Sequence, residues 1–152
     1  MKTLLSAVAA LCLLAAPGLA LAQAPLTYVY NDASTGARAS APVPVTNASV
    51  AINISTATTT QLVALSAGQA IYVTAYNVIA GGTGNITLVY GTGSNCGTGT
   101  TSLTGAYNLT AQAGVAFGSG VGAVLVVPAG NALCATTSAA VQMSGSVAYA
   151  QF

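Results

Sequence analysis

Charged side chains are almost absent from this sequence: its 152 residues contain only Lys2, Asp32 and Arg38, and no histidine. A helix on the surface of a water-soluble protein usually exposes Lys, Glu and Arg, which are also good helix formers. Without them, the surface must be made of Thr, Ser, Asn, Gln and Gly, which favour strands and turns over helices. The composition therefore predicts an all-β fold with few or no exposed helices.

Residues 1–22 have the three parts of a cleavable signal peptide. Lys2 gives a positive start, residues 4–16 are apolar, and Ala20-Leu21-Ala22 forms a small-x-small cleavage site before Gln23. The alternative is a retained membrane anchor, but the apolar run is shorter than the ~20 residues that a spanning helix needs. We expect export of a mature chain that begins at Gln23 and has no membrane span.

Cleavage removes Cys12 and leaves two cysteines, Cys96 and Cys134. In an exported chain, an even number of cysteines is most simply explained by a disulfide bond. The alternative is a pair of free buried thiols. A metal site needs further ligands, and the mature chain has no His, Glu or third Cys to supply them. Neither a metal nor another cofactor is predicted.

The mature chain divides into a polar arm, residues 23–47, and a domain, residues 48–152. The arm contains both mature charges, three prolines and one segment of strand-like composition, residues 26–30. We expect this strand to pair with a neighbouring copy of the protein or, alternatively, with its own domain. The residues predicted at a contact between copies are Leu26, Tyr28, Val29 and Tyr30.

From residue 48 onward, strand-like segments alternate with Gly-rich turns. Apolar residues recur at every second position in 49–55 and in 70–78, which is the period of a half-buried strand. In the second segment the alternation predicts one face with Ile71, Val73, Ala75 and Asn77, and the other with Tyr72, Thr74, Tyr76 and Val78. A loop is predicted at 91–100, and further strands at 61–65, 85–90, 106–109, 114–117, 121–127, 132–136 and 141–149. This pattern predicts a single β-sandwich or jelly-roll-like domain.

Four motifs after residue 60 suggest a family. They are Ala64-Leu65-Ser66-Ala67-Gly68, Leu103-Thr104-Gly105, Gly130-Asn131-Ala132-Leu133, and Ser138-Ala139-Ala140-Val141 followed by Gly145 and Tyr149. The pattern resembles a small β-sandwich domain that recurs in uncharacterised secreted bacterial proteins and in virion- or fibre-associated proteins of tailed phages. The resemblance implies a bacterial β-sandwich and, since its motifs are turns and core positions, no chemistry. The signal peptide distinguishes this chain from a virion protein assembled in the cytoplasm.

The residue inventory argues against most kinds of chemistry. A serine nucleophile needs a base, and the mature chain has no His or Lys. A glycosidase usually needs two carboxylates, and Asp32 is the only acidic side chain. The Gly-rich segment 91–100 lacks the lysine of a phosphate-binding loop, and a single Arg cannot neutralise a nucleic-acid backbone. We expect a protein that is not an enzyme and does not bind nucleic acid.

A neutral surface rich in hydroxyl groups offers no charge repulsion between copies. It favours a self-associating extracellular or cell-surface subunit of a fibre, surface layer or coat. The alternative is a monomeric carbohydrate-binding or adhesive module whose exposed tyrosines, Tyr28 and Tyr30 first, contact a cell-surface glycan. A second alternative is a phage-derived virion decoration protein. The four Asn-x-Ser/Thr sequons are attributed to chance; they begin at Asn47, Asn53, Asn85 and Asn108.

Overall fold

The computed structural model describes residues 27–31, 38–42 and 44–152. The regular structure in these ranges is β-strand, apart from one turn of 3-10 helix at Ser94–Cys96. No helix within these ranges is long and apolar enough to cross a membrane. The predicted all-β fold is therefore confirmed, whereas the predicted signal peptide lies outside the described residues.

Ten strands follow one another along the domain. Many are short, and Gly-containing turns separate several of them, as the alternating sequence pattern predicts. After β1 (Thr27–Asn31) and β2 (Arg38–Pro42) of the arm, they are β3 (Ala48–Ile54), β4 (Thr59–Val63), β5 (Ile71–Ala80), β6 (Gly84–Thr92), β7 (Thr98–Ser102), β8 (Tyr107–Leu109), β9 (Gly114–Gly118), β10 (Leu125–Val127), β11 (Ala132–Thr137) and β12 (Met143–Gln151).

These strands form two antiparallel sheets. Sheet I has the order β3–β12–β5, and its last position is shared by β9 and β10, which pair with successive parts of β5. Sheet II has the order β4–β11–β6, and its last position is likewise shared by β8 and β7, which pair with successive parts of β6. Each sheet therefore has four strand positions, of which one edge position is divided in two.

One hydrophobic core lies between the two sheets, so the molecule is a β-sandwich. Alternate residues of both sheets point into this core and are almost completely buried. Burial of a large aliphatic side chain contributes roughly 1.5–3 kcal/mol to stability. The largest buried aliphatic residues are Ile52, Ile71, Val73, Val78, Val127, Met143 and Val147 from sheet I, and Ile86, Leu88 and Leu133 from sheet II.

The alternation of core-facing and outward-facing side chains along β5 reverses at Thr74. Between Val73 and Ala75 the pairing with β12 shifts by one residue, so that Thr74 is an extra residue in a β-bulge. Ile71 and Val73 face the core before the bulge, and Tyr76 faces it afterwards. The prediction that Tyr76 lies on the face opposite Ile71 is wrong, because strict alternation assumes that the pairing is unbroken.

Hydrogen bonds hold the bulge in place. The fully buried hydroxyl of Thr74 donates to the carbonyl of Ala148 at 3.1 Å and lies 2.5 Å from the hydroxyl of Thr46. The carbonyl of Thr74 accepts a bond from the N–H of Gly120, and the carbonyl of Gly120 accepts one from the N–H of Thr46. The end of the predicted arm, from Pro44, is therefore attached to the sandwich.

The segment predicted as a loop at 91–100 is shorter than expected. Strand β6 continues to Thr92, and β7 begins at Thr98 and pairs with β6. All five residues of β7 are exposed Thr, Gly or Ser. Its sequence therefore has no apolar alternation from which a strand could be predicted.

The strand predicted at 121–127 is regular only in its second half. Strand β10 occupies Leu125–Val127, and Val121 forms an isolated bridge with Val45. Gly120 and Gly122 have positive φ values, which favour turns over strands. The apolar composition of this segment therefore predicts a longer strand than its backbone forms.

Candidate interaction surface

Three of the four predicted contact residues of the arm, Tyr28, Val29 and Tyr30, lie in one strand of a two-stranded sheet. Strands β1 (Thr27–Asn31) and β2 (Arg38–Pro42) form a two-stranded antiparallel sheet of their own. The arm therefore carries two strands where the sequence predicts one, because the small residues of β2 give no strand signal. Tyr28 pairs with Ala41, Val29 with Ser40 and Tyr30 with Ala39, whereas Leu26 lies outside the described residues. A contact of this arm with another copy stays a prediction.

The predicted disulfide between Cys96 and Cys134 is confirmed. It joins the 3-10 turn to β11 across a Cα–Cα distance of 6.3 Å. Residues 93–97, which we call the strap, are thereby attached to the outer face of sheet II. A disulfide is consistent with an oxidising compartment, as expected for an extracellular protein.

The strap gives sheet II a partly covered outer face. Cys96 and Cys134 form a small buried cluster with Val89 and Ala132, separate from the main core. The neighbouring Asn95 accepts a hydrogen bond from the backbone N–H of Gln61 at 3.1 Å. The strap therefore spans from β6 over β11 to β4.

Beyond the strap, the outer face of sheet II is rich in hydroxyl groups. Thr59, Thr136 and Thr87 lie side by side on three neighbouring strands. The hydroxyls of Thr59 and Thr136 are 2.8 Å apart and hydrogen-bonded. This row makes the exposed part of the face polar but uncharged.

The outer face of sheet I, which we call the open face, is made mainly of small residues. These residues alternate with the core residues of each strand, so their side chains point away from sheet II. The residues of its middle part are Ser49, Ala51, Ala75, Asn77, Ala116, Ser146 and Ala148. Since small side chains project little, the open face is flat in its middle.

Polar side chains on the open face bond to one another. The amide of Asn77 donates to the hydroxyl of Ser146 at 2.8 Å and accepts from the N–H of the same residue at 3.2 Å. The amide of Gln142 donates to the side chain of Asn53 at 2.8 Å and to the hydroxyl of Ser144 at 3.0 Å. These groups therefore have partners within the chain.

A large apolar side chain projects at one end of the open face. Ile79 is 55% exposed. Beside it lies a shallow depression whose lining includes Asn77, Gly114 and Ala116. The depression exists because the facing residues of β9 have little or no side chain.

A second apolar patch occupies the other end of the open face. The rings of Tyr72 and Phe152 are stacked with centroids 4.6 Å apart. Val126, which pairs with Tyr72, is 46% exposed. Tyr28 and Tyr30 were the tyrosines predicted to be exposed, so the half-buried Tyr72 on the open face was not predicted as a contact residue. Its neighbour Ile71, a clear core residue, could have indicated that Tyr72 points outward.

The other tyrosines from residue 44 onward pack against the core. Tyr76 is buried against Tyr107 and Phe117, with its ring centroid 5.0 Å from that of Phe117. Its hydroxyl has no hydrogen-bond partner among the described residues. Burial, and secondarily the neighbouring Tyr107, raises the pKa of Tyr76 well above its usual value of about 10.

The surface of the sandwich carries no charged side chains. The sequence from 44 to 152 has no Asp, Glu, His, Lys or Arg. The described ranges contain no cluster of three His, Cys, Asp or Glu side chains that could hold a metal ion. Recognition there depends on shape, apolar area and neutral hydrogen bonds.

Comparison with protein-family models, curated proteins and solved structures gave no match for this chain. The resemblance to a small domain of secreted bacterial and phage proteins therefore stays an expectation drawn from its turn and core motifs.

Proposed function

We propose that this chain is an exported, non-enzymatic structural protein whose copies associate into a fibre, surface layer or coat. The observation that carries the proposal is the absence of any charged side chain from residue 44 to residue 152. Soluble monomers usually keep apart through net charge and through charged residues on their exposed strands. A sandwich with neither has no electrostatic barrier to close contact between copies.

The strand order supports the same proposal. When β7 and β8 are counted as one strand position, and β9 and β10 as another, each sheet has four positions. Their orders are β3–β12–β5–β9/β10 and β4–β11–β6–β8/β7. This order supports a jelly-roll architecture, which has eight strands in two sheets and is used by viral capsid subunits and by lectin domains. We propose that the domain is a jelly roll.

The arm provides one further means of association. Within the described residues, β3 pairs with β12 on one side only, and its seven residues are uncharged. An unprotected edge of this kind can accept another strand. We propose that the two-stranded sheet containing Tyr28, Val29 and Tyr30 contacts a neighbouring copy.

The test is to purify the exported protein and to measure its state by sedimentation velocity and negative-stain microscopy. We expect assemblies whose size does not decrease between low and high salt, because the sandwich has no charge pairs for salt to screen. A stable monomer at high protein concentration would refute the proposal. Deletion of residues 23–40 separates the roles of arm and sandwich: loss of assembly with retained folding assigns the contact to the arm.

A carbohydrate-binding module is the second candidate, and the Tyr72–Phe152 pair favours it. These stacked rings lie at the solvent side of sheet I, and Phe152 is 41% exposed. An aromatic surface beside neutral polar groups can pack against the apolar face of a sugar ring. Glycan-array binding that disappears in Tyr72→Ala but persists in Tyr90→Phe, a core-packed site, would support this candidate.

A further inference from the structure

We propose that the open face of sheet I docks against the same face of a second copy. Ile79 of each copy enters the depression beside Ile79 of the other, the one lined by Asn77, Gly114 and Ala116. The inference rests on the proposed function, because it identifies one surface through which the copies associate.

This end of the face has a projection beside a depression. The projecting side chain, Ile79, is one wall of the depression, and its Cγ1 atom lies 3.0 Å from the position that a Cβ atom on Gly114 would take. Ala116 and Asn77, which pair with each other, line the rest of the opening. A two-fold axis that relates two identical patches brings each projection onto the depression of the other. A second copy is therefore the occupant whose shape the patch itself specifies.

The exposure of Ile79 results from the bulge at Thr74. Ile79 lies an even number of residues after Ile71, so on a strand without a bulge both side chains would face the core. The bulge reverses this phase, so that Ala80 is buried and Ile79 is exposed. An isoleucine at an outward position of a central strand gains burial only from a partner.

Water can be removed from the hydrogen-bonded groups of the open face at small cost. Burial of a polar group is unfavourable when its hydrogen bonds are lost. On the open face the Asn77–Ser146 pair and the Gln142–Asn53–Ser144 group already have partners within the chain. A second copy can therefore cover these groups while their bonds stay intact.

The two outer faces of the sandwich differ in how well they suit close contact. The strap occupies part of the face of sheet II, and the row of Thr59, Thr136 and Thr87 makes much of the rest polar. Ile79 and Val126 project from sheet I at 55% and 46% exposure. Close contact between sheets therefore favours sheet I.

The first test measures self-association of the exported protein by sedimentation velocity for the wild type, Ile79→Lys and Leu65→Lys. Leu65, which is 43% exposed, lies in the connection after β4 and serves as a matched control for an added charge. We expect association to weaken at least tenfold in Ile79→Lys and to change less than twofold in Leu65→Lys. Equal denaturation midpoints verify that both variants are folded.

The second test is directed crosslinking between different variants. Because Cys96 and Cys134 are bonded to each other, an introduced cysteine has no free partner within the exported chain. Mixed Ile79→Cys and Ala116→Cys proteins should form a disulfide-linked heterodimer under mild oxidation. A mixture of Leu65→Cys and Ala116→Cys proteins should form at least fivefold less disulfide-linked heterodimer under the same conditions.

The outcomes separate this inference from the proposed function. Suppose that the wild type associates, that Ile79→Lys associates equally well, and that both cysteine mixtures give the same yield of heterodimer. The assignment of the contact to the open face is then wrong, and the proposed function stands. If the wild type stays monomeric at all concentrations, both are wrong. Weakened association in Ile79→Lys together with selective crosslinking supports both.

Discussion

The side chain of Asn95 accepts a hydrogen bond from the backbone N–H of Gln61, 3.1 Å away on a neighbouring part of sheet II. The next residue, Cys96, is covalently bonded to Cys134 on β11. The strap is thus attached to two adjacent strands by bonds of very different strength. Since the Asn95 bond is exposed, most of the attachment must come from the disulfide.

Reduction of this disulfide should lower the stability of the sandwich substantially. The two cysteines are 38 residues apart, and opening a loop of this size costs about 4 kcal/mol in the chain-entropy model. Guanidinium denaturation with and without reductant measures the effect. The double variant Cys96→Ala/Cys134→Ala should be insensitive to reductant, and identical wild-type midpoints under both conditions would contradict the prediction.

Gly145→Ala should destabilise the centre of sheet I by about 1–3 kcal/mol, the usual cost of overpacking. A Cβ atom at Gly145 would overlap the carbonyl oxygen of Asn77 on β5. Gly105→Ala is the matched control, because a Cβ there meets nothing within 4 Å. Equal denaturation midpoints for the two variants would show that β12 can move away from β5 without cost.

Thr74→Val should lower the free energy of unfolding by about 1–2 kcal/mol, although the two side chains are similar in volume. The substitution removes a buried hydroxyl that donates to the carbonyl of Ala148 and contacts the hydroxyl of Thr46. Thr110→Val, at an exposed position, is the control and should be neutral. Urea denaturation compares the two variants, and a neutral Thr74→Val would mean that the bulge does not depend on this hydroxyl.

Tyr76→Phe should leave stability unchanged or raise it by about 1 kcal/mol, because it removes a buried hydroxyl that lacks a partner among the described residues. It should also change the response to alkali. The pKa of Tyr76 is raised in the folded state, so above about pH 10 only the unfolded state loses this proton. Stability of the wild type should therefore fall as pH rises above 10, and less steeply in the variant, as thermal denaturation can measure.

Between pH 4 and pH 8 the stability of the sandwich should change little. No side chain from residue 44 to residue 152 is a carboxylate, an imidazole or an amine. Folded and unfolded states of this part therefore bind the same number of side-chain protons in this range, and the free energy of unfolding has no slope. A midpoint that drops by several degrees on acidification would contradict this expectation.

The sequence alone was sufficient to predict the side-chain alternation of regular strands and the disulfide. The alternation in β3 correctly indicates that Ile52 and Ile54 face the core while Asn53 faces outward. The disulfide follows from the cysteine count. In each case, the physical cause lies in neighbouring residues or in the composition of the exported chain.

The features that the sequence did not reveal depend on distant partners. The bulge at Thr74 arises from its pairing with β12, more than seventy residues later. That bulge determines that Ile79 is exposed, and β9 supplies the depression beside it. No local periodicity encodes the combination, so the candidate surface could be recognised only in the folded chain.

The Thr59–Thr136–Thr87 row on sheet II has a consequence for the exterior of an assembly. Two molecules joined through sheet I would turn this row toward water on both sides of the pair. An array of such pairs would present hydroxyl and amide groups that neither gain nor lose protons at ordinary pH. The sandwich surface of such a coat would be wetted by water yet carry no side-chain charge, so its contacts with ions would change little between fresh, acidic and saline surroundings.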